Sequence, residues 1–167
     1  SSGLIRTLTG ANTLTGGLTM QSGGGSTTLR ADTGSSLVLN GAVTANATGR
    51  YLTLVGGGDF TFGSAGSINN TSTTGTVGFW SQNSGSTTIS SAANTYTLGT
   101  EIGNGNILTV AALADGLANS SIGAAAVTAT NLVLDNGTLR FAGSTAQSTN
   151  RLFSVGTGGA TLDASGT

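Results

Sequence analysis

Between residues 131 and 141 the chain reads Asn-Leu-Val-Leu-Asp-Asn-Gly-Thr-Leu-Arg-Phe, and this pattern limits the possible folds more than any other stretch. Leu132 and Leu134 are apolar, Asp135, Asn136 and Gly137 form a turn, and Leu139 and Phe141 are apolar again. That is strand, tight turn and strand with period 2, with Val133 and Arg140 pointing the other way. Looser copies run Leu52, Leu54, Gly56 to Gly58, Phe60, Phe62, and Phe153, Val155, Gly156, Gly158, Gly159, Ala160, Leu162. More degenerate ones run Leu29, Ala31, Asp32, Gly34, Leu37, Leu39, and Val77, Phe79, Gln82, Asn83, Gly85, Thr87, Ile89. A unit this small cannot bury its apolar face alone, so copies must stack to share a core.

The 29 Gly residues, together with abundant Thr and Ser, suit pleated strands and frequent turns and disfavour helices. The absence of Pro fits central strands, which need their N–H groups for the ladder. Asn-Gly at 40 and 136 is also a hairpin signal, and a hairpin meander is the runner-up. Short strands, variable gaps and repetition in chain order favour stacking instead. The fold expected is all-β: a right-handed parallel β-helix, or β-solenoid, with short strands, Gly/Asn/Asp turns and coils of roughly 20 to 25 residues. Residues 4 to 20 are expected to hold two strands around turns at Gly-Ala-Asn and Gly-Gly, and 27 to 62 three or four more. Residues 63 to 75 read as an outer loop, and strands resume at 76 to 81 and 86 to 90. The Ala- and Leu-rich tract 111–121 allows one short helical turn. No linker divides the chain, so residues 1–167 read as a single solenoid domain, a segment or repeat unit of a longer protein or fibre.

Composition removes several function classes. With no His and no Cys, the usual nucleophile–base pairs, thiolate metal sites and disulfides cannot be built. Five Arg and six acids are scattered, with no basic stripe for nucleic acid. No apolar run approaches the ~20 residues that span a membrane. Asp32, Asp135 and Asp163 sit at or beside expected turns, where Asp caps backbone groups, which outweighs reading them as a glycosidase or lyase pair. Gly57-Gly58-Asp59 matches part of a calcium nonapeptide but has no second copy nine residues on. Thr7-x-Thr9, Thr13-x-Thr15 and Thr95-x-Thr97 suggest a flat, ice-binding Thr array, yet they do not recur at one coil spacing. Tyr51 and Trp80 could stack on a sugar, but 29 residues separate them. No cofactor, metal or catalytic residue is expected.

Ala-Asn-Thr-Tyr-Thr-Leu-Gly-Thr at 93–100, Ile-Leu-Thr-Val-Ala-Ala-Leu-Ala-Asp-Gly-Leu-Ala-Asn-Ser-Ser-Ile-Gly at 107–123 and the 131–141 stretch closely resemble the autotransporter-associated β-strand repeat. Gly10 to Gly17 looks like another start of it. The resemblance covers about half of the chain well. It implies a parallel β-helix exposed on a bacterial surface, in passenger domains or very large extracellular repeat proteins, with no catalytic residues.

The expected role is a non-enzymatic building block of an extracellular fibre, stalk or adhesin. The alternative is a module that binds glycans or another surface through the loops at 63–75 and 111–125; a polysaccharide-active enzyme is a remote third. The partner expected first is the protein itself, as a head-to-tail homopolymer or tandem repeats. Residues 1–9 already alternate as a strand and 159–167 look like the middle of a coil, so Leu4, Ile5 and Leu8 at one end and Ala160 and Leu162 at the other are the expected assembly residues.

Alternation puts Leu134 in the core and Val133 outside. Leu134→Asp should therefore disrupt folding, since an unpaired buried carboxylate costs several kcal/mol, and Val133→Thr should be nearly silent. Thermal melts of the two variants check this, and equal melting temperatures would refute the register.

Overall fold

The computed structural model describes residues 3–23, 25–71 and 75–164. The first coil contains β1 (Gly3–Thr7), β2 (Gly10–Leu14) and β3 (Leu18–Met20). The second contains β4 (Ser26–Ala31), β5 (Ser35–Leu39) and β6 (Val43–Ala45). Later coils keep two strands: β7 (Arg50–Gly56) with β8 (Asp59–Phe62), β9 (Val77–Ser81) with β10 (Ser86–Ile89), and β11 (Thr100–Gly103) with β12 (Ile107–Val110). After them come β13 (Leu132–Asp135) with β14 (Gly137–Phe141), and β15 (Ser154–Val155) with β16 (Ala160–Asp163).

Each strand pairs in parallel with its counterpart one coil away, never with its sequence neighbour. One seven-stranded sheet runs β1-β4-β7-β9-β11-β13-β15, a second runs β16-β14-β12-β10-β8-β5-β2, and β3 pairs with β6 on a third side. The chain is thus a parallel β-solenoid of about six turns, and the meander is excluded. The reason is visible at Asp135 to Gly137: one residue, Asn136, with φ 58°, turns the chain from the first sheet to the second instead of reversing it.

Register lines the apolar residues up in columns. Leu29, Leu54, Ile102 and Leu134 form one inward column, Leu37, Phe60, Leu108 and Leu139 another, and Leu39, Phe62, Ile89 and Val110 a third, all buried. Phe62 meets Phe79 edge-on at 5.7 Å, and Phe79 meets Tyr96 at 6.2 Å. Parallel ladders of this kind bury both the backbone bonds and one face of each strand, so alternation is strict wherever the strand is regular.

The inward columns are not wholly apolar. Ser81 replaces an aliphatic residue between Leu54 and Ile102, and Thr87 stands between Phe60 and Leu108. Ser81 Oγ lies 2.9 Å from both Thr87 Oγ1 and Asn106 Oδ1 and gives its one proton to either; Asn106 Nδ2 donates to Asn83 Oδ1 at 2.9 Å and to the Gly85 carbonyl at 2.8 Å. Asn83 Nδ2 in turn donates to the Gly58 carbonyl at 3.0 Å. All four side chains are fully buried, so this layer is tolerated because its members satisfy one another.

Four expectations need correction. Gly10-Ala11-Asn12 is not a turn but the start of β2, because Gly10, with φ 75°, makes the corner and frees the following residues to pair with Ser35 to Leu37. Residues 4 to 20 consequently carry three strands, and 27 to 62 lie within five. The segment 63–75 is not wholly an outer loop: Ile68 bridges Val43 in parallel and is fully buried on the third side. No helix occurs at 111–121; the one helical turn among the described residues is a 3₁₀ turn at Ala129–Asn131. Coil length also varies more than expected. Ile5, Leu29, Leu54, Ser81, Ile102, Leu134 and Val155, which share one column, lie 24, 25, 27, 21, 32 and 21 residues apart.

At the corner after β7, Gly56 has φ 103° and a Cβ there would fall 2.0 Å from the Ala31 carbonyl oxygen of the coil below. Gly16 has nothing within 4 Å and an ordinary φ. Gly56→Ala should cost about 2 kcal/mol or more, from left-handed strain and the clash, whereas Gly16→Ala should stay within about 0.5 kcal/mol of the parent. Denaturant melts of both variants measure the difference.

Candidate functional site

Carboxylates come first, because a β-solenoid enzyme would need them free and clustered. Asp32 lies between two arginines, 2.5 Å from Arg6 Nη2 and 2.8 Å from Arg30 Nε, and the Arg6 guanidinium, followed by that of Arg30, holds its carboxyl below the ordinary carboxylate range. Asp59 Oδ1 accepts from the Ser86 N–H and hydroxyl, both at 2.8 Å. Asp115 Oδ1 accepts from the Asn150 N–H at 2.8 Å, and Asp135 Oδ1 from the Gly158 N–H at 2.6 Å. Asp163 accepts from Arg140 Nε at 2.7 Å, and Glu101 from Gln82 Nε2 at 2.7 Å. Each of the six acids ties one coil or loop to the next. Among the described residues no three acids gather to hold a metal ion.

The longest coil carries its own anchor. Arg151 is only 9% exposed and donates to five backbone carbonyls: Ala114 at 3.0 Å, Ala125 at 3.2 Å, Asp115 at 3.3 Å, Ala118 at 3.1 Å and Gly123 at 2.8 Å. Nη2 shares its two N–H groups among the Asp115, Ala118 and Gly123 carbonyls while Nε and Nη1 serve the other two, so a single side chain gathers the irregular 111–125 excursion onto the body. Burial pushes the guanidinium down from its ordinary value, yet an arginine keeps its charge. Thr149 Oγ1 adds a bond to the Ala114 carbonyl, and Gln147 Oε1 accepts from the Leu113 N–H at 2.6 Å. Beneath, the Tyr96 hydroxyl shares a 2.7 Å hydrogen bond with Thr100, and burial raises its pKa. Arg151 had no signal in the sequence, because its acceptors lie on a segment 26 to 37 residues away.

The five expected end residues fall on two opposite terminal coils, in unlike positions. Ile5 pairs with Leu29 and faces inward, yet it is 38% exposed where Leu29 is fully covered. Leu4 faces outward beside Thr28, and Leu8 lies in the corner between β1 and β2. At the other end Leu162 pairs with inward Leu139 and is 56% exposed, while Ala160 pairs with Gly137. Val155, which pairs with fully buried Leu134, is also 56% exposed and belongs with them, although only Ala160 and Leu162 were expected there. An apolar hollow of about 270 Å³ opens on this side, lined by Leu113, Leu132, Leu139, Phe141, Phe153 and Leu162 among others.

Two weaker readings also resolve. The three Thr pairs do not form an array, since Thr7 is buried, Thr13 lies on the outer face of the second sheet and Thr95 bonds Asn69. Tyr51 and Trp80, by contrast, come together: adjacent strands bring the ring centroids to 4.4 Å.

Over 168 aligned residues the chain is 37% identical to "Adhesin BmaC autotransporter" of Brucella suis biovar 1 (strain 1330), a match that covers 94% of this chain. The chain spans 5% of the length of that relative. No family model matches the chain, and no solved structure matches it.

Replacing the anchor tests how the excursion is held. Arg151→Met should remove the charged donor shared by five carbonyls, of which Ala118 has no other among the described residues, lowering the free energy of local opening at 112–125 by about 3 kcal/mol, in the range for breaking a charged network. Amide hydrogen exchange should show that segment losing protection while β4 and β7 keep theirs. Unchanged protection at 112–125 would contradict the role given to Arg151.

Proposed function

Because the chain is homologous to a segment of an autotransporter adhesin and its coils are of the autotransporter-passenger kind, we propose that it is a rigid, non-enzymatic shaft segment of a bacterial surface adhesin. In this reading it lies outside the cell, and its end coils stack on further coils of the same kind, in the same chain or in a second copy. The observation that carries the reading is the pair of seven-stranded parallel sheets whose register continues from coil to coil, with inward positions that end on uncovered apolar residues at Ile5 on one side and at Val155 and Leu162 on the other. Interior members of those columns lose nearly all their exposure to the coils above and below, so an added coil would bury the same surface at each end. At roughly 25 cal/mol per Å² of apolar area this favours continuation. Unpaired ladder groups on β1, β2, β15 and β16 add a directional preference for parallel strands.

Commitment of all six acids to inter-coil bonds supports a role without catalysis. A shaft needs stiffness, and one strand per coil per sheet, spaced about 4.8 Å apart, supplies it through continuous ladders.

A tandem fusion joining Thr167 of one copy to Ser1 of the next tests the stacking. Nearest-neighbour coupling between coils predicts one cooperative transition with a melting temperature several degrees above that of the single copy. Ile5→Lys together with Leu162→Lys should abolish the gain. Two copies that unfold at the single-copy temperature would rule out end-to-end stacking.

A further inference from the structure

We propose that the outer face of the first sheet carries a binding site for a neutral pyranoside, built on Tyr51 and Trp80. The site lies on a side of the solenoid and stands independently of what covers its ends.

Tyr51 of β7 and Trp80 of β9 occupy outward positions on neighbouring strands, in a chain whose Phe60, Phe62, Phe79 and Tyr96 are all buried. Both are half-buried, with ring planes 30° apart. Gly78 makes the arrangement possible. A Cβ at that position would come within 2.4 Å of Tyr51 Cε1, so the Tyr51 ring lies against bare backbone rather than standing off the sheet. The result is an aromatic ledge on the outer face of the first sheet.

Polar groups border the ledge on one side. Register puts Glu101 directly across from Trp80, and Gln82 follows two residues after Trp80 on the same face. Gln82 Nε2 donates to Glu101 Oε1 at 2.7 Å, which orients both side chains. Glu101 Oε2 and Gln82 Oε1 have no hydrogen-bond partner among the described residues. From there a shallow trough of about 590 Å³ continues along Val55, Gln82, Glu101, Asn104 and Asp135. On the ledge itself Thr53, paired with Trp80 and two residues from Tyr51, is 8% exposed, and its hydroxyl has no partner.

An aromatic ledge beside fixed acceptors and an amide donor is what a sugar ring requires. The flat C–H face packs on the Trp80 ring face turned away from Tyr51, and equatorial hydroxyls donate to Glu101 and accept from Gln82. Charge selects the class. Glu101 borders the Trp80 ring and Asp135 the adjoining trough, so acidic sugars are disfavoured. Ring geometry argues against a quaternary ammonium ligand, because two rings stacked on one another do not present converging faces to a cation.

Trp80 is the single tryptophan of the chain, so its fluorescence reports on the site directly. The 167-residue protein would be screened on an array of neutral and acidic glycans, and then titrated with cellotetraose, chitotetraose, sialyllactose and choline. The expected result is a saturable change in Trp80 emission with a neutral oligosaccharide. By calorimetry, Tyr51→Ala and Trp80→Ala should each weaken binding about tenfold or more, as for truncation of a central aromatic anchor, and Glu101→Gln should weaken it with the melting temperature unchanged. Circular dichroism melts confirm that the variants are folded. Absence of binding to any neutral glycan, equal binding by folded Trp80→Ala, or preference for sialyllactose or choline would each overturn the proposal. None of these outcomes bears on the tandem-fusion experiment, which reads the end coils alone.

Discussion

Everything in this molecule depends on the parallel backbone ladder between residues one coil apart. A parallel pair needs a crossover, and here the crossover is the rest of the coil itself, so each strand finds its partner only after the chain has gone once round. Closing the ladder fixes the register, and register sends alternate side chains into a shared interior. The core is consequently a set of columns rather than a cluster around a centre, and each coil contacts mainly its two neighbours.

A one-dimensional core places unusual demands on its corners. Coils can sit a strand spacing apart only where nothing projects between them, which is why Gly56 lies against the Ala31 carbonyl and Asn136 takes a left-handed conformation. Charged side chains are recruited to the same task. Asp32, Asp59, Asp135 and Asp163 each bind a group on an adjacent coil, which reinforces the ladder from outside and leaves the acids engaged in structure. Where the coil lengthens, between Val110 and Leu132, backbone pairing gives way to side-chain bonds, and Arg151 does by five hydrogen bonds what a strand would have done by ladder.

Such a body is well suited to extension and presentation. Its sides repeat with the coil, so residues far apart in sequence become neighbours on one face, as Tyr51 and Trp80 do. Its ends carry the same columns as its middle but without cover, which is the physical basis for proposing stacking there. In the proposed reading, rigidity and binding come from separate parts of one architecture, the interior columns and the outward rows.

The sequence by itself determined the all-β class, the alternation and the strand–turn–strand repeat. Leu132, Leu134 and Leu139 are buried as their spacing required, and the copies beginning at Leu29, Leu52 and Val77 occupy successive coils. Those features are local, set by period 2 and by turn residues within a dozen positions. What only the tertiary structure decided is which residue lies above which. Coil length runs from 21 to 32 residues, so no constant spacing predicts that Trp80 stacks on Tyr51, that Asn83 meets Asn106 in a buried polar layer, that Ile68 belongs to the core or that Arg151 reaches Gly123. Such contacts depend on how much chain each coil spends at its corners, and that is fixed by the ladder closing above and below.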